Sequence, residues 1–128
     1  MSQKQFDQWL AGLDLSFWGT AQHKVTPAQF FERQASDGAI LLDLRSPEEV
    51  SQLAFPFALH IPVNELPKRL AEVPNDRMVA TFCSSVTRAV VAWVYLQLNG
   101  YNQARILDAR YDELTVELLP GKVYKRLR

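Results

Sequence analysis

The chain has little that binds metals or bridges covalently: one cysteine and two histidines in 128 residues. A single cysteine permits no internal disulfide, which fits a reducing compartment. Any covalent partner for that sulfur comes from outside the chain. Cys83, His23 and His60 have no recognisable ligand spacing, so no zinc or iron site is expected. The two histidines read as polar surface or strand-end residues. Walker and glycine-rich dinucleotide patterns are missing, as are internal repeats, which argues against nucleotide-binding and solenoid classes. Charge of one sign is missing too. Fourteen basic residues balance fourteen acidic ones, so no overall field favours nucleic acid or an anionic membrane. No run approaches the roughly twenty apolar residues of a membrane span. Met1 to Asp7 lacks the basic-then-apolar layout of a signal peptide, and the expectation is a cytoplasmic protein.

What is present is ordinary globular composition: 48% hydrophobic and 22% charged residues, enough for one domain with a buried core. Phe6, Trp9, Leu10 and Leu13 recur at helical spacing, predicting an amphipathic helix over 5–15, then a less regular stretch to Lys24. Thr26-Pro27-Ala28-Gln29 combines a cap, a first-turn proline and a glutamine at the capping-box position, predicting a helix through Ala35 and a turn at Ser36-Asp37-Gly38. Ala39 to Leu44 is a continuous apolar run of the kind buried on both faces of a parallel sheet. Ser46-Pro47-Glu48-Glu49 starts another helix. Strands are expected over 57–61, 77–82 and 103–107, and helices over 64–71, 88–98 and 111–119. Pro120-Gly121 reads as a break. This alternation predicts an α/β domain with a mainly parallel central sheet flanked by helices on both faces, whose functional groups gather beyond the carboxyl ends of the strands.

Asp43 and Cys83 both fall at such ends. Cys83 closes the run from Met78 to Phe82 and opens the loop Ser84-Ser85-Val86-Thr87-Arg88, which leads into a helix. The first turn of a helix carries unpaired N–H groups and the positive end of the macrodipole, and both stabilise an anion. Short hydroxyls and a permanent guanidinium charge in the loop act in the same direction. A thiolate is favoured there, and it is the thiolate that attacks.

With these elements placed, the sequence resembles the rhodanese-like sulfurtransferase family over 25–119, about three quarters of the chain. The matching pieces are Leu41-Leu42-Asp43-Leu44-Arg45 with Glu48-Glu49, then Phe55 to Pro62, the Cys83 to Arg88 loop, and Ile106-Leu107-Asp108. The resemblance implies a single rhodanese domain without metal or cofactor. Its loop cysteine accepts a sulfane sulfur from thiosulfate or a persulfide and hands it to a thiol or other nucleophile. Cys83 is then the nucleophile and carrier. Ser84, Ser85, Val86 and Thr87 cradle the persulfide mainly through main chain, and Arg88 shapes the loop and attracts anionic donors. Asp43 and Arg45 match the family's Asp-x-Arg and, with Glu49, are structural support; Arg45 is expected to pair with Glu48 or Glu49, and Asp43 to brace a neighbouring loop. Four residues separate Cys83 from Arg88, the interval of sulfur-handling members; phosphatase relatives have one more.

The sequence departs from the family at three places. Val86 stands where glycine is common, so either the loop takes another path or it is strained. Leu53 to Phe57 replaces a glycine-flanked His-Ile-Pro segment, and Ala109-Arg110 replaces a glycine pair. Two other readings therefore stand beside the enzyme: a noncatalytic binding module of the same shape, and a thiol-based phosphatase or arsenate reductase that the short loop disfavours. Residues 1–24 form an N-terminal helical extension whose Phe6, Trp9, Phe17 and Trp18 cover a core edge or dock a partner. Residues 120–128 form a basic tail with Lys122, Lys125, Arg126 and Arg128, solvated by default or attractive to an acidic sulfur-carrier protein.

Overall fold

A computed structural model describes residues 2–128. Two short helices, α1 (Gln3–Ala11) and α2 (Leu15–Gly19), precede strand β1 (Lys24–Val25). Then follow α3 (Pro27–Asp37), β2 (Ile40–Asp43), α4 (Pro47–Gln52), β3 (Leu59–His60), α5 (Leu66–Arg69) and β4 (Val79–Phe82). The chain continues through α6 (Thr87–Leu98), β5 (Ala104–Leu107), α7 (Tyr111–Thr115) and α8 (Pro120–Leu127). All strand pairs are parallel, in the order β1-β5-β4-β2-β3.

Both faces of the sheet are covered, as an all-parallel sheet requires. Leu42, Val79 and Ile106 pack on one side with Ala89, Ala92, Trp93 and Leu96 of α6. Their strand neighbours Leu41, Ala80 and Leu107 pack on the other with Phe30 and Phe31 of α3 and Leu114 of α7. The α/β architecture expected from the alternation is the one observed. The predicted caps also form: Thr26 with Gln29, and Ser46 with Glu49, each make a reciprocal capping box. Gly38 ends α3 at φ 71°, a left-handed position that glycine takes without a Cβ clash.

Several boundaries differ from the sequence expectation. The stretch after α1 holds α2 and β1, a two-residue strand that exists by pairing with β5, where Ile106 N–H donates to His23 O at 2.8 Å. The expected strand over 57–61 shortens to β3. The expected helix over 64–71 is divided, with α5 between two 3₁₀ turns, because Pro67 fits a first turn and not a helix interior. Pro120 similarly starts α8 instead of only breaking its predecessor. Arg126 of α8 stacks 4.5 Å over Phe31 and donates to the Glu117 carbonyl at 2.6 Å, so this basic side chain is docked.

Trp9 and Phe17 lie with ring centres 5.5 and 6.2 Å from that of Trp93 and extend the α6 side of the core. Of the two roles open for the N-terminal aromatics, covering a core edge is the one these two perform. Among the described residues no helix is long and apolar enough to cross a membrane.

Candidate active site

The chain leaves β2 toward the edge strand β3, then crosses to place β4 on the other side of β2. A crevice opens where such an order reverses, outside the carboxyl ends of the strands. Asp43 is paired with Phe82 in register there, and Cys83 is the next residue.

Cys83 is only 1% exposed. Its loop reaches α6 with Val86 in the N-cap position, which has no side-chain atom able to cap the helix. The Cys83 Sγ takes that part, accepting the Ala89 N–H at 3.4 Å. The Ala89 carbonyl in turn accepts from the buried Thr81 Oγ1 at 2.9 Å. Strand, sulfur and helix start are thus tied through one residue, and the sulfur sits at the positive end of a twelve-residue helix.

The loop is closed from outside by Arg88. Its Nη1 donates to Glu49 Oε1 at 2.6 Å and its Nη2 to Glu49 Oε2 at 2.9 Å, with a further bond from Nη2 to Ser84 Oγ at 2.9 Å. Glu49 Oε1 also accepts the Ser46 N–H at 3.0 Å. Bonds from Arg88 first, and from Ser46 next, hold the Glu49 carboxyl well below the usual carboxylate range. The same pairing pushes Arg88 upward against the opposing effect of burial, with the nearby Cys83 sulfur a smaller contributor. Arg88 therefore braces the loop, and most of its charge is already answered by Glu49.

Val86 adopts φ 72° and ψ −29°. It is one of two non-glycine residues at positive φ among the described residues, the other being Ala21. For a β-branched side chain this conformation costs on the order of 1–3 kcal/mol. Of the two alternatives left by its replacement of glycine, strain is the one realised. Packing of its half-buried side chain against the core cluster offsets part of that cost.

The expected pairing of Arg45 with Glu48 or Glu49 is not what forms. Arg45 and Asp43, two apart in extended chain, point to the same side. Arg45 Nε donates to Asp43 Oδ1 at 2.9 Å and Nη2 to Oδ2 at 2.7 Å, while Nη1 donates to the Tyr111 hydroxyl at 3.1 Å. The guanidinium is fully buried and lies 5.1 to 5.6 Å from the ring centres of Phe55, Tyr111 and Phe82. Burial, its largest single influence, lowers the Arg45 pKa, but its bonds to Asp43 and Tyr111 outweigh it and the group stays charged. Asp43 braces the turn out of its own strand, accepting the Arg45 N–H at 3.1 Å, and His60 Nε2 donates to the Arg45 carbonyl at 2.7 Å. Glu49 cannot serve Arg45 because it is committed to Ser46 and Arg88.

Beyond the loop lies a cavity of about 580 Å³, lined by Ser84, Ser85, Val86, Asp108, Arg110 and neighbouring groups. Thr87 is exposed at the first position of α6 and does not line it. Arg110, Asp108 and Glu113 are lining residues that the sequence reading did not assign. Asp108 and Arg110 follow the carboxyl end of β5 directly, and Glu113 lies in the first turn of α7. A smaller cavity of about 180 Å³ adjoins it, bounded by His23, Lys24, Val86, Val90, Ile106 and Asp108. Burial first, and Lys24 second, lower the His23 pKa, with Asp108 opposing. No group of three or more histidine, cysteine or carboxylate residues that could hold a metal occurs among the described residues.

Cys83 itself does not line the cavity, but a sulfur at a helix start, held by a main-chain N–H in a loop whose next three residues do line it, can act as a nucleophile and hold an anionic adduct. A family model described as "Rhodanese-like domain" matches residues 26–116. The chain belongs to the rhodanese-like family. A curated relative named "Sulfurtransferase" from Allochromatium vinosum is 37% identical over 75 residues, covering 59% of this rhodanese-like chain and 68% of the relative. The solved human single-domain sulfurtransferase TSTD1 superposes with a TM-score of 0.60 at 27% identity, over 73% of this chain and 96% of that one. Reduced CoADR-RHD from Bacillus anthracis gives 0.66 at 27% identity over 84% of this chain but only 19% of its own, so the rhodanese-like unit here is a small part of that protein.

Proposed function

We propose that this protein moves a sulfane sulfur from a small anionic donor to a thiol acceptor through a persulfide on Cys83. The observation that carries this reading is the Cys83 sulfur at the end of the central strand, accepting the Ala89 N–H beneath a loop that opens on the cavity of about 580 Å³. The names of the Allochromatium vinosum and human relatives support the same chemistry.

With thiosulfate, the Cys83 thiolate attacks the outer sulfur, the S–S bond breaks, and sulfite leaves with the bonding pair. Cysteine then carries a persulfide whose terminal sulfur holds the negative charge. Loop amides over Ser84 to Thr87, together with the α6 dipole, stabilise that charge as an oxyanion hole stabilises a developing alkoxide. With a persulfide donor RS–SH, the same attack releases RS⁻. In the second half-reaction an acceptor thiolate attacks the terminal sulfur and Cys83 leaves as thiolate, ready for another cycle. Arg88 holds the loop in shape through Glu49 and Ser84. Arg110 is the cation on the cavity lining, beside the Asp108 and Glu113 carboxylates, and meets the anionic donor there. Residues 25–119 form the transfer unit, the extension over 2–24 covers the α6 side through Trp9 and Phe17, and 120–128 are appended; a lone thiol in this role suits the reducing cytoplasm.

Steady-state formation of thiocyanate from thiosulfate and cyanide tests the reading. Parallel double-reciprocal lines, abolished in Cys83→Ser, are expected. Phosphate release from an aryl phosphate without sulfur transfer, or neither activity, overturns it.

A further inference from the structure

Val86 breaks two local rules at once. It sits at an N-cap, where a hydroxyl, a carboxylate or glycine is usual, and at positive φ, where glycine is usual. Violations of this kind concentrate at functional positions. The side chain has an evident place: Val86 and Asp108 border both cavities at the loop, the one of about 580 Å³ and the one of about 180 Å³. They are the residues that the two cavities share.

The cavities differ in what they offer. The larger is bordered by Ser84, Ser85 and Arg110 together with the Asp108 and Glu113 carboxylates, a polar lining with room for a compact donor at the loop. The smaller has apolar walls from Val90 and Ile106, with Lys24 at its border. The Lys24 ammonium is loosely paired, 3.9 Å from Asp108 Oδ2, with both side chains about half exposed (46% and 56%), a weak pair that a ligand carboxylate can compete for. An extended donor such as a peptide persulfide has its reactive sulfur some distance from its terminal carboxylates. Val86, three residues after Cys83 in the same loop, borders the cavity that Lys24 also borders.

We propose that Val86 is a specificity-determining residue, a wall that favours compact inorganic sulfur donors and holds extended peptide persulfides away from Lys24. This rests on the sulfurtransferase reading given above. The reaction is unchanged by donor: Cys83 thiolate attacks the outer sulfur of glutathione persulfide, the S–S bond breaks, and glutathione thiolate leaves with the electron pair.

The test is single-turnover loading, followed by intact mass, with thiosulfate and with glutathione persulfide on wild type, Val86→Gly and Val86→Gly combined with Lys24→Ala. The expected result is a rise of at least about fivefold in the glutathione persulfide to thiosulfate rate ratio in Val86→Gly, returned toward the wild-type ratio by Lys24→Ala. Val86→Ala, which keeps a Cβ and shortens the wall, gives a smaller rise in the same direction and serves if the glycine variant does not fold. An unchanged ratio in the folded variants, or a rise that survives Lys24→Ala, overturns the proposal while leaving the sulfurtransferase reading intact. No loading of wild type by either donor overturns that reading, and the proposal with it.

Discussion

Two arginine–carboxylate pairs flank the same crevice in opposite surroundings. Asp43 and Arg45, 2% and 0% exposed, form a charge pair sealed under three aromatic rings at the end of β2. Glu49 and Arg88 form a bidentate pair about one third exposed (30% and 31%), joining the start of α4 to the sulfur loop. The chemistry is the same, but what each holds is not. A buried pair is expensive to break because the surviving charge has no water to receive it. A half-exposed pair contributes less to stability and more to geometry. The sheet end is thus fixed by a contact whose loss threatens the fold, and the loop by one whose loss threatens chemistry.

The sharpest way to break this contrast is Asp43→Ala, which strands the Arg45 guanidinium in an apolar pocket. Urea unfolding is expected to show a loss of about 3–5 kcal/mol. Pairing it with Arg45→Met removes the orphaned charge and recovers part of that loss. Equal destabilisation by the single and double variants would show that the ion pair is not the source.

Glu49→Gln keeps the shape and removes the charge at the other pair. The expected stability loss is about 1 kcal/mol at neutral pH, alongside a roughly tenfold slower thiosulfate loading, the rate equivalent of ~1.4 kcal/mol. Loading unchanged in this variant would separate Arg88 and Glu49 from the loop's function.

Acid titration sharpens the same comparison. Folding lowers the Glu49 pKa, so its stabilisation is complete above the ordinary glutamate value of 4.5 and is lost as pH falls through the lowered one. The difference in urea midpoint between wild type and Glu49→Gln therefore shrinks on acidification below that value. A difference that grows there would reverse the assigned sign.

The smallest effect belongs to a third pair, Arg33 with Asp37 on the exposed face of α3, 43% and 47% exposed. Arg33→Ala is expected to leave both the melting midpoint and sulfur loading within error of wild type.

Much of this was legible locally. The Thr26 and Ser46 capping boxes, the β2 and β4 runs and the loop from Cys83 into α6 all announce themselves within a few residues. Local signals carry them, since caps and apolar periodicity act over one or two turns. The Glu49–Arg88 bond spans 39 positions and depends on the β2–β4 register, so the sequence offers both residues for the site but not their pairing. Arg45 has its partner Asp43 only two residues away; what the sequence hides there is that Glu49 is already committed to Arg88. β1 was hidden because a two-residue strand has no pattern of its own and exists by its bonds to β5. At Val86 the sequence posed the right question, path or strain, and backbone geometry answers it.

The central claim is that Cys83 stores sulfur. Intact mass after incubation with thiosulfate measures this directly: wild type is expected to gain one sulfur atom, lost again on adding a thiol, while Cys83→Ser gains none. A wild type that stays unmodified with thiosulfate and with persulfide donors, or a Cys83→Ser variant that still gains sulfur, contradicts it.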